Sequence, residues 1–317
     1  MISLSEQGRL GDLERRVLVL LATFNGALYL EEQLQSIASQ TWREIDIIAS
    51  DDGSTDATLK VLADWAARWK MGSFRIVAGP KSGFAANFRS LILDAPWQGS
   101  FVAFCDQDDV WDPGKLEAAI EVLRGRTTAA LYGSRSRLIG PAGEALGLSP
   151  LFPRPPSFAN AIVQSLAGGN TMVMNARAFA LLRESARRTP FLMHDWWSYL
   201  IVSGAGGLVH YDPTPRIGYR QHPGNAIGGG MGQLGRVKRL WELLTGKFSR
   251  WSDRNLAALE LCADLLTEQS RATLARFKQL RRSGPLRATR LLLQAGIYRQ
   301  TLKGNVALGV AVMLRRI

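Results

Sequence analysis

Cysteine and histidine are scarce in this 317-residue chain. The two cysteines, Cys105 and Cys262, stand far apart, so neither a disulfide framework nor a zinc cluster can be built from them. Such a chain is at home in a reducing cytoplasm. Three histidines, His194, His210 and His222, exclude a histidine-rich metal site. Long apolar runs are missing too: Val17–Ala22 and Val306–Leu314 are far shorter than the roughly 20 residues that cross a bilayer. No apolar stretch precedes Val17, so no signal peptide is expected. Acids are scarce in one place. Residues 232–317 carry 17 Lys or Arg against Glu242, Asp253, Glu260, Asp264 and Glu268, a net of +12, whereas the first 231 residues hold 22 of each sign. This implies a neutral domain followed by a basic tail, and such a tail seeks an anionic surface.

The neutral part shows alternation. Val17-Leu18-Val19-Leu20-Leu21-Ala22 predicts a buried parallel strand that runs out into Thr23-Phe24-Asn25-Gly26. Leu30, Leu34 and Ile37 then recur at helical spacing across 28–39, with Glu31 and Glu32 outside. Further strands are expected at 45–50, 74–78 and 100–105, with helices after a Ser54 or Thr55 cap and across 84–94. This alternation predicts an α/β fold whose mostly parallel sheet is flanked by helices. Beyond residue 130 the rhythm loosens. Leu131–Leu138 and Thr171–Met174 read as strands, Pro141–Pro156 as loop, and Gly204–Gly207 and Gly228–Gly230 as punctuation. From 233 onward the pattern is helical, interrupted at Ser283-Gly284-Pro285. The expected division is one α/β domain over 1–230 and a basic, mainly helical extension over 231–317.

In an open parallel sheet, ligands bind at the carboxyl ends of the strands. Three such ends carry polar loops: Thr23-Phe24-Asn25, Asp51-Asp52-Gly53-Ser54 and Asp106-Gln107-Asp108-Asp109. The last places three carboxylates within four residues, and a divalent cation relieves their repulsion when they are desolvated. Oxygen ligands of this kind suit Mg2+ or Mn2+ together with a diphosphate. The same run also reads as a solvated acidic turn, with Asp112 capping the helix after Pro113. Asp51 and Asp52 stay open in the same way, between a tight turn and a contact to a nucleoside.

The runs LVLLATFNGALYLEEQLQSIASQTWREIDIIASDDGSTDAT and FVAFCDQDDVWDPGKLE resemble the family 2 inverting glycosyltransferases of the GT-A fold. Within them the chain is similar to bacterial rhamnosyltransferases of surface-polysaccharide assembly. GGNTMVMN, HDWWSYL and YRQHPGNAIGG continue the likeness, which covers roughly residues 17–230. The resemblance implies that Thr23, Asn25 and Asp52 hold the nucleoside of a nucleoside-diphosphate sugar, with Asp51 beside them. It implies that Asp106 faces the ribose or the metal and that Asp108 ligates the ion on the diphosphate, while Asp109 has no settled role. Asp195 takes the place of the carboxylate that deprotonates the acceptor hydroxyl during a single inverting displacement. His194 stands where the family commonly has Glu, and its role is open. Gly168 and Gly169 are expected to let backbone approach the sugar, and Asn170 to hydrogen-bond its hydroxyls. Trp196 and Trp197 either stack on a sugar face or fill the core. Arg220 is expected on the phosphate and His222 on the metal, in a Gly-rich segment that closes over the diphosphate.

The reaction expected from this resemblance joins L-rhamnose from dTDP-L-rhamnose to a lipid-linked saccharide, with Mg2+ or Mn2+, on the cytoplasmic side of a membrane. The alternatives are a hexosyltransferase using a UDP-sugar and a catalytically inactive, membrane-associated assembly protein. The joint presence of Asp106, Asp108 and Asp195 speaks against the second. A sugar nucleotidyltransferase would carry a Gly-rich basic loop after the first strand, which Thr23-Phe24-Asn25-Gly26 is not. In the tail, 236–250 and 271–303 set Leu, Trp, Phe and Ile among Arg and Lys at helical intervals. That reads as helices packed on the domain with a solvated basic face, or as a peripheral contact with an anionic membrane. No nucleic-acid module is recognisable, so no nucleic-acid partner is expected.

Overall fold

A computed structural model describes residues 15–96, 99–222 and 247–317 of the protein. The alternating part runs β1 (Val17–Thr23), α1 (Ala27–Ala38), β2 (Ile45–Asp51), α2 (Thr58–Arg68), β3 (Phe74–Ala78), α3 (Phe84–Asp94) and β4 (Phe101–Cys105). There follow β5 (Val110–Trp111), α4 (Lys115–Leu123), β6 (Ala130–Ser134), β7 (Arg137–Ile139), β8 (Ala145–Leu148) and α5 (Phe158–Ala161). Next come β9 (Val173–Asn175), α6 (Ala176–Arg188), α7 (His194–Gly204), β10 (Leu208–Asp212) and β11 (Ile217–Arg220). The remaining described helices are α8 (Lys247–Leu261), α9 (Glu268–Arg282), α10 (Pro285–Gln294) and α11 (Leu302–Met313).

Among the described residues a seven-stranded sheet has the order β10-β6-β9-β4-β1-β2-β3. β1 is parallel to β2 and β4, β2 to β3, and β6 to β10, while β9 lies antiparallel between β4 and β6. A smaller four-stranded sheet has the order β5-β11-β7-β8. The pleat of β1 sends Leu18 and Leu20 into one core with Phe88 and Phe104, and Val17, Val19 and Leu21 into another with Leu30, Leu34 and Trp65. Helices cover both faces of the sheet, which is why β1 is apolar throughout instead of alternating. Each fully buried Leu or Val there contributes roughly 1.5–3 kcal/mol.

The C-terminal helices share the first core. Leu256, Leu259, Leu274 and Phe277 pack in the cluster that holds Trp197 and Leu200, and the Thr267 N–H donates to the Gly204 carbonyl at 2.9 Å. The expected boundary at 230/231, Gly228–Gly230, and the start of the tail lie outside the described residues.

Several local expectations change. The strand predicted over Leu131–Leu138 is two strands in different sheets: the Arg135 N–H still bonds the Asp212 carbonyl of β10 in the first, and Ser136 leaves it by donating its N–H to Ser149 Oγ. Within Pro141–Pro156 the chain turns at Gly143 (φ +85°, open to glycine) and returns as β8 against β7. Thr171 belongs to a short 3-10 turn, Gly169–Thr171, ahead of β9. Neither Ser54 nor Thr55 caps α2: the Ser54 hydroxyl accepts the Asn25 N–H at 2.8 Å, and the Thr55 N–H donates to Asn25 Oδ1 at 2.8 Å. Among the described residues no helix is long and apolar enough to cross a membrane.

Candidate active site

β1, β2 and β3 end level with one another. Thr23 pairs with Asp51 and Asp51 with Ala78, while Leu21 pairs with Cys105 and so brings Asp106 alongside. The three strand-end loops therefore converge, as the topology requires. A cleft of about 860 Å³ opens there, and Thr23, Asp52, Asp106, Asp108, Asn170 and Asp195 all line it.

Hydrogen bonds within the loops separate framework from lining. Gln107 clamps the first loop to the third: its Oε1 accepts the Phe24 N–H at 2.8 Å and its Nε2 donates to the Phe24 carbonyl at 3.0 Å. The Asp51 carboxylate accepts the N–H groups of Gly53 and Ser54 and the hydroxyls of Thr23 and Ser54, at 2.6–3.1 Å. It is buried, and its oxygens are occupied by the loop. Asn25 is exposed at a left-handed φ of 48° and bonds the second loop through Ser54 and Thr55. Asn25 and Asp51, expected on the nucleoside, instead build the frame that presents Thr23. Asp52 does line the cleft, where its carboxylate accepts the N–H groups of Lys81 at 2.6 Å and Gly83 at 2.7 Å.

The third loop concentrates negative charge. Asp109 is fully buried and accepts from Asn170 Nδ2 at 2.6 Å and the Arg220 N–H at 3.0 Å. Burial and the Asp108 charge push its carboxyl up to about 7 against those two hydrogen bonds. Burial, and then the charges of Asp109, Asp108 and Asp195, raise Asp106 well above the usual carboxylate range. The Asp106 carboxylate has no hydrogen-bond partner among the described residues. Asp108 Oδ2 lies 2.8 Å from His222 Nε2. Behind the loop, Lys115 is fully buried with its Nζ 3.2 Å from the centre of the Trp111 ring, and burial pulls it down to about 7.

Among the described residues no group of three or more His, Cys, Asp or Glu side chains is arranged to hold a metal ion by itself. Crowded carboxylates, with Asp106 unpartnered, nevertheless fit a divalent cation that takes its other ligands from diphosphate and water, the usual habit of Mg2+.

Across the cleft, Asp195 sits in the first turn of α7, with its Oδ1 2.6 Å from the Trp196 N–H. Burial lifts its carboxyl to about 6. Next to it the His194 ring stacks on Phe88 at 3.7 Å and meets Phe104 edge-on at 4.7 Å. Burial holds this imidazole down at about 3, so it is neutral. The close approach at Gly169 is to this ring: a Cβ there would fall 2.0 Å from His194 Nε2. Asn170, expected on sugar hydroxyls, commits its amide nitrogen to Asp109.

One expectation is corrected here. Arg220 does not reach for phosphate. It is 1% exposed and donates from Nε to the Asp108 carbonyl, from Nη1 to the Gly140 and Pro141 carbonyls, and from Nη2 to Glu32. It braces the acidic loop from behind. Of the two readings open for Trp196 and Trp197, the structure bears out the core, with their indole N–H groups donating to the Ala161 carbonyl and Ser185 Oγ. Sequence reading also missed Lys81, Phe84 and Phe88, which line the cleft from the loop and helix after β3. β3 pairs with β2, so the strand-end rule that found the other loops covers this one too.

The family model described as Glycosyl transferase family 2 matches residues 18–188. Among curated proteins, the dTDP-rhamnosyl transferase RfbG of Shigella flexneri is 27% identical over 230 residues, covering 69% of this chain and 78% of RfbG. TuaG of Bacillus subtilis, named for teichuronic acid biosynthesis, is 26% identical over 185 residues, covering 58% of this chain and 71% of TuaG. A further curated relative is 35% identical over 112 residues, and the chain spans only 33% of its length. The crystal structure of S. aureus TarS 1-349 in complex with UDP-GlcNAc is similar with a TM-score of 0.54 at 15% identity, covering 94% of this chain and 90% of that one. At that identity the likeness concerns the fold alone, and it bears out the GT-A architecture expected from the sequence.

Proposed function

The chain belongs to glycosyl transferase family 2, and from that premise we propose that it moves a sugar, with inversion, from a nucleoside diphosphate to a saccharide acceptor. The observation that carries this reading is the shared cleft: Asp52, Asp106 and Asp108 from strand ends face the same space as Asp195 from a helix start. Thr23 and Asp52 contact the nucleoside. Asp106 and Asp108, with His222 against Asp108, would hold Mg2+ or Mn2+, which neutralises charge on the departing diphosphate. Asp195 accepts the proton of the acceptor hydroxyl while that oxygen forms its bond to the anomeric carbon. The bond from that carbon to the diphosphate breaks, and the diphosphate leaves with the electron pair. A carboxyl lifted to about 6 is ionised at pH 7–8 yet more basic than an exposed one, which suits this proton transfer. The buried, neutral His194 places no cation beside Asp195.

The donor we favour is dTDP-L-rhamnose, supported by the relative named a dTDP-rhamnosyl transferase. A lipid-linked saccharide of surface-polysaccharide assembly, met on the cytoplasmic face of a membrane, is the acceptor that accompanies that reading. The test is a thermal-shift and donor-turnover panel of nucleotide sugars with Mn2+. Stabilisation by dTDP and release of dTDP from dTDP-L-rhamnose are expected. Response to UDP-sugars alone would overturn the donor, and response to no nucleotide would overturn the transferase reading.

A further inference from the structure

We propose that the outward faces of α10 and α11 form a docking surface for an anionic lipid bilayer. On α10, Leu286 and Leu293 are 84% and 77% exposed, and with Arg290 they fall at i, i+4 and i+7 on one stripe. On α11, Leu302 is 81% exposed, and Val306, Val310 and Met313 continue its stripe, all exposed. These are not the margins of a core. Ala288 and Leu292 on α10, and Leu308, Ala311 and Val312 on α11, already fill the inward side. On the face that a surface helix reserves for polar residues, α11 is therefore mostly apolar and α10 alternates leucine with arginine. The two run side by side, with the Thr289 hydroxyl 3.5 Å from Met313 Sδ and Arg315 Nη2 3.5 Å from the Ser283 carbonyl. The stripes thus lie on neighbouring helices of one hairpin, and exposed apolar surface of this kind marks an interaction site.

Charge identifies the partner. From Gln269 to Ile317 the chain holds 11 Lys or Arg and no acid. Five of these, Arg287, Arg290, Lys303, Arg315 and Arg316, lie on or directly after α10 and α11, are exposed and have no acidic partner among the described residues. In α9, Lys278 pairs with Glu260 and Arg281 with Asp253, while Arg271, Arg276 and Arg282 are exposed without an acidic partner among the described residues and extend the basic border. An apolar ridge needs an apolar phase, and a basic border needs anionic groups beside it. A bilayer with anionic headgroups offers both at the same depth, whereas a nucleic acid offers no apolar phase.

The hairpin is also fastened to the active-site cleft. Its connecting segment bonds residues 154–160: the Arg154 N–H donates to Gln300 Oε1 at 3.0 Å, and Asn160 Nδ2 donates to the Tyr298 carbonyl at 2.9 Å. That stretch continues directly from Ser149, Pro150 and Phe152, which line the cleft. A membrane held by α10 and α11 therefore lies next to one wall of the site.

Co-sedimentation of the full chain with vesicles tests this, using phosphatidylcholine alone and phosphatidylcholine with a third phosphatidylglycerol. Binding to the anionic vesicles only is expected. Arg287→Gln with Arg290→Gln and Lys303→Gln should lower it on the order of 100-fold, at the weight each basic residue carries near a membrane. Leu302→Ser with Val306→Ser and Val310→Ser should lower it at least roughly 10-fold through lost apolar transfer. Both triple variants should keep the thermal unfolding and nucleotide response of the parent. Absence of vesicle binding, or binding unchanged in either variant, overturns the proposal. So does a parent dimer that the Ser variant dissociates in light scattering, which would make the face an interface between copies. Vesicle binding is read without a sugar donor, so its failure would leave the transferase reading untouched.

Discussion

Replacing Asp195 with Asn removes a charge that burial disfavours, and the consequence for folding is as specific as the consequence for catalysis. The carboxyl rises from 3.8 to about 6 in the folded protein. Because the folded value lies above the unfolded one, the native state binds more protons between those pH values. The associated stability is complete below about pH 4 and is lost as pH climbs through 6. At pH 7.5 the ionised Asp195 costs up to about 3 kcal/mol, at 1.36 kcal/mol per pKa unit. The substituted amide keeps an oxygen for the Trp196 N–H, now held at 2.6 Å, and the exchange also removes one of the charges that raise Asp106. Urea unfolding should therefore find Asp195→Asn more stable than the parent by about 2–3 kcal/mol at pH 7.5, with the gain shrinking toward zero near pH 4. Turnover should drop by roughly 10²–10⁴-fold, the usual worth of a general base. A variant no more stable at pH 7.5, or one whose gain is equal at both pH values, would refute the idea that the protein strains to keep this carboxylate charged.

Gly169→Ala should force the His194 ring off Phe88, costing about 1–3 kcal/mol in urea unfolding together with most of the turnover. A His194→Ala background should recover much of that stability, and no recovery would place the clash elsewhere. Arg220→Ala should act on stability, by about 2–4 kcal/mol, because three backbone carbonyls lose their donor. A variant of parental stability with only a raised KM for the donor would return Arg220 to the phosphate. Removal of divalent ions by EDTA should abolish turnover and added Mn2+ should restore it, with Asp106→Asn beyond rescue. Full activity in EDTA would remove the metal from the account.

The alternating half of the fold was legible because its signal is local. Runs such as Val17–Ala22 and Phe101–Cys105 are apolar on both faces, and turn residues mark where they stop. The meeting of three strand-end loops also followed, since parallel strands must end on one side. What stayed hidden depends on where side chains point after the chain has folded. Asp51 and Asp52 are neighbours of one residue type, yet one is tied into its own loop and the other lines the cleft. Arg220 ends β11 where the sequence reads as a phosphate clamp, but the smaller sheet directs it inward to Glu32 and backbone carbonyls. The division of Leu131–Leu138 between two sheets carries no local mark, because the partner that draws Ser136 away comes from residue 149. His194 was marked as a departure, and only its packing against Phe88 and Gly169 shows what it does.

The proposed function requires one cleft to hold the nucleotide on the strand-end carboxylates and Asp195 to take the acceptor proton. Titration of dTDP with Mn2+ into the parent and into Asp195→Asn, followed by turnover of dTDP-L-rhamnose by each, tests both halves together. Affinities for dTDP should agree within about twofold, with dTDP release confined to the parent. Parental turnover by the Asn variant, or failure of both proteins to bind any nucleoside diphosphate, would contradict it.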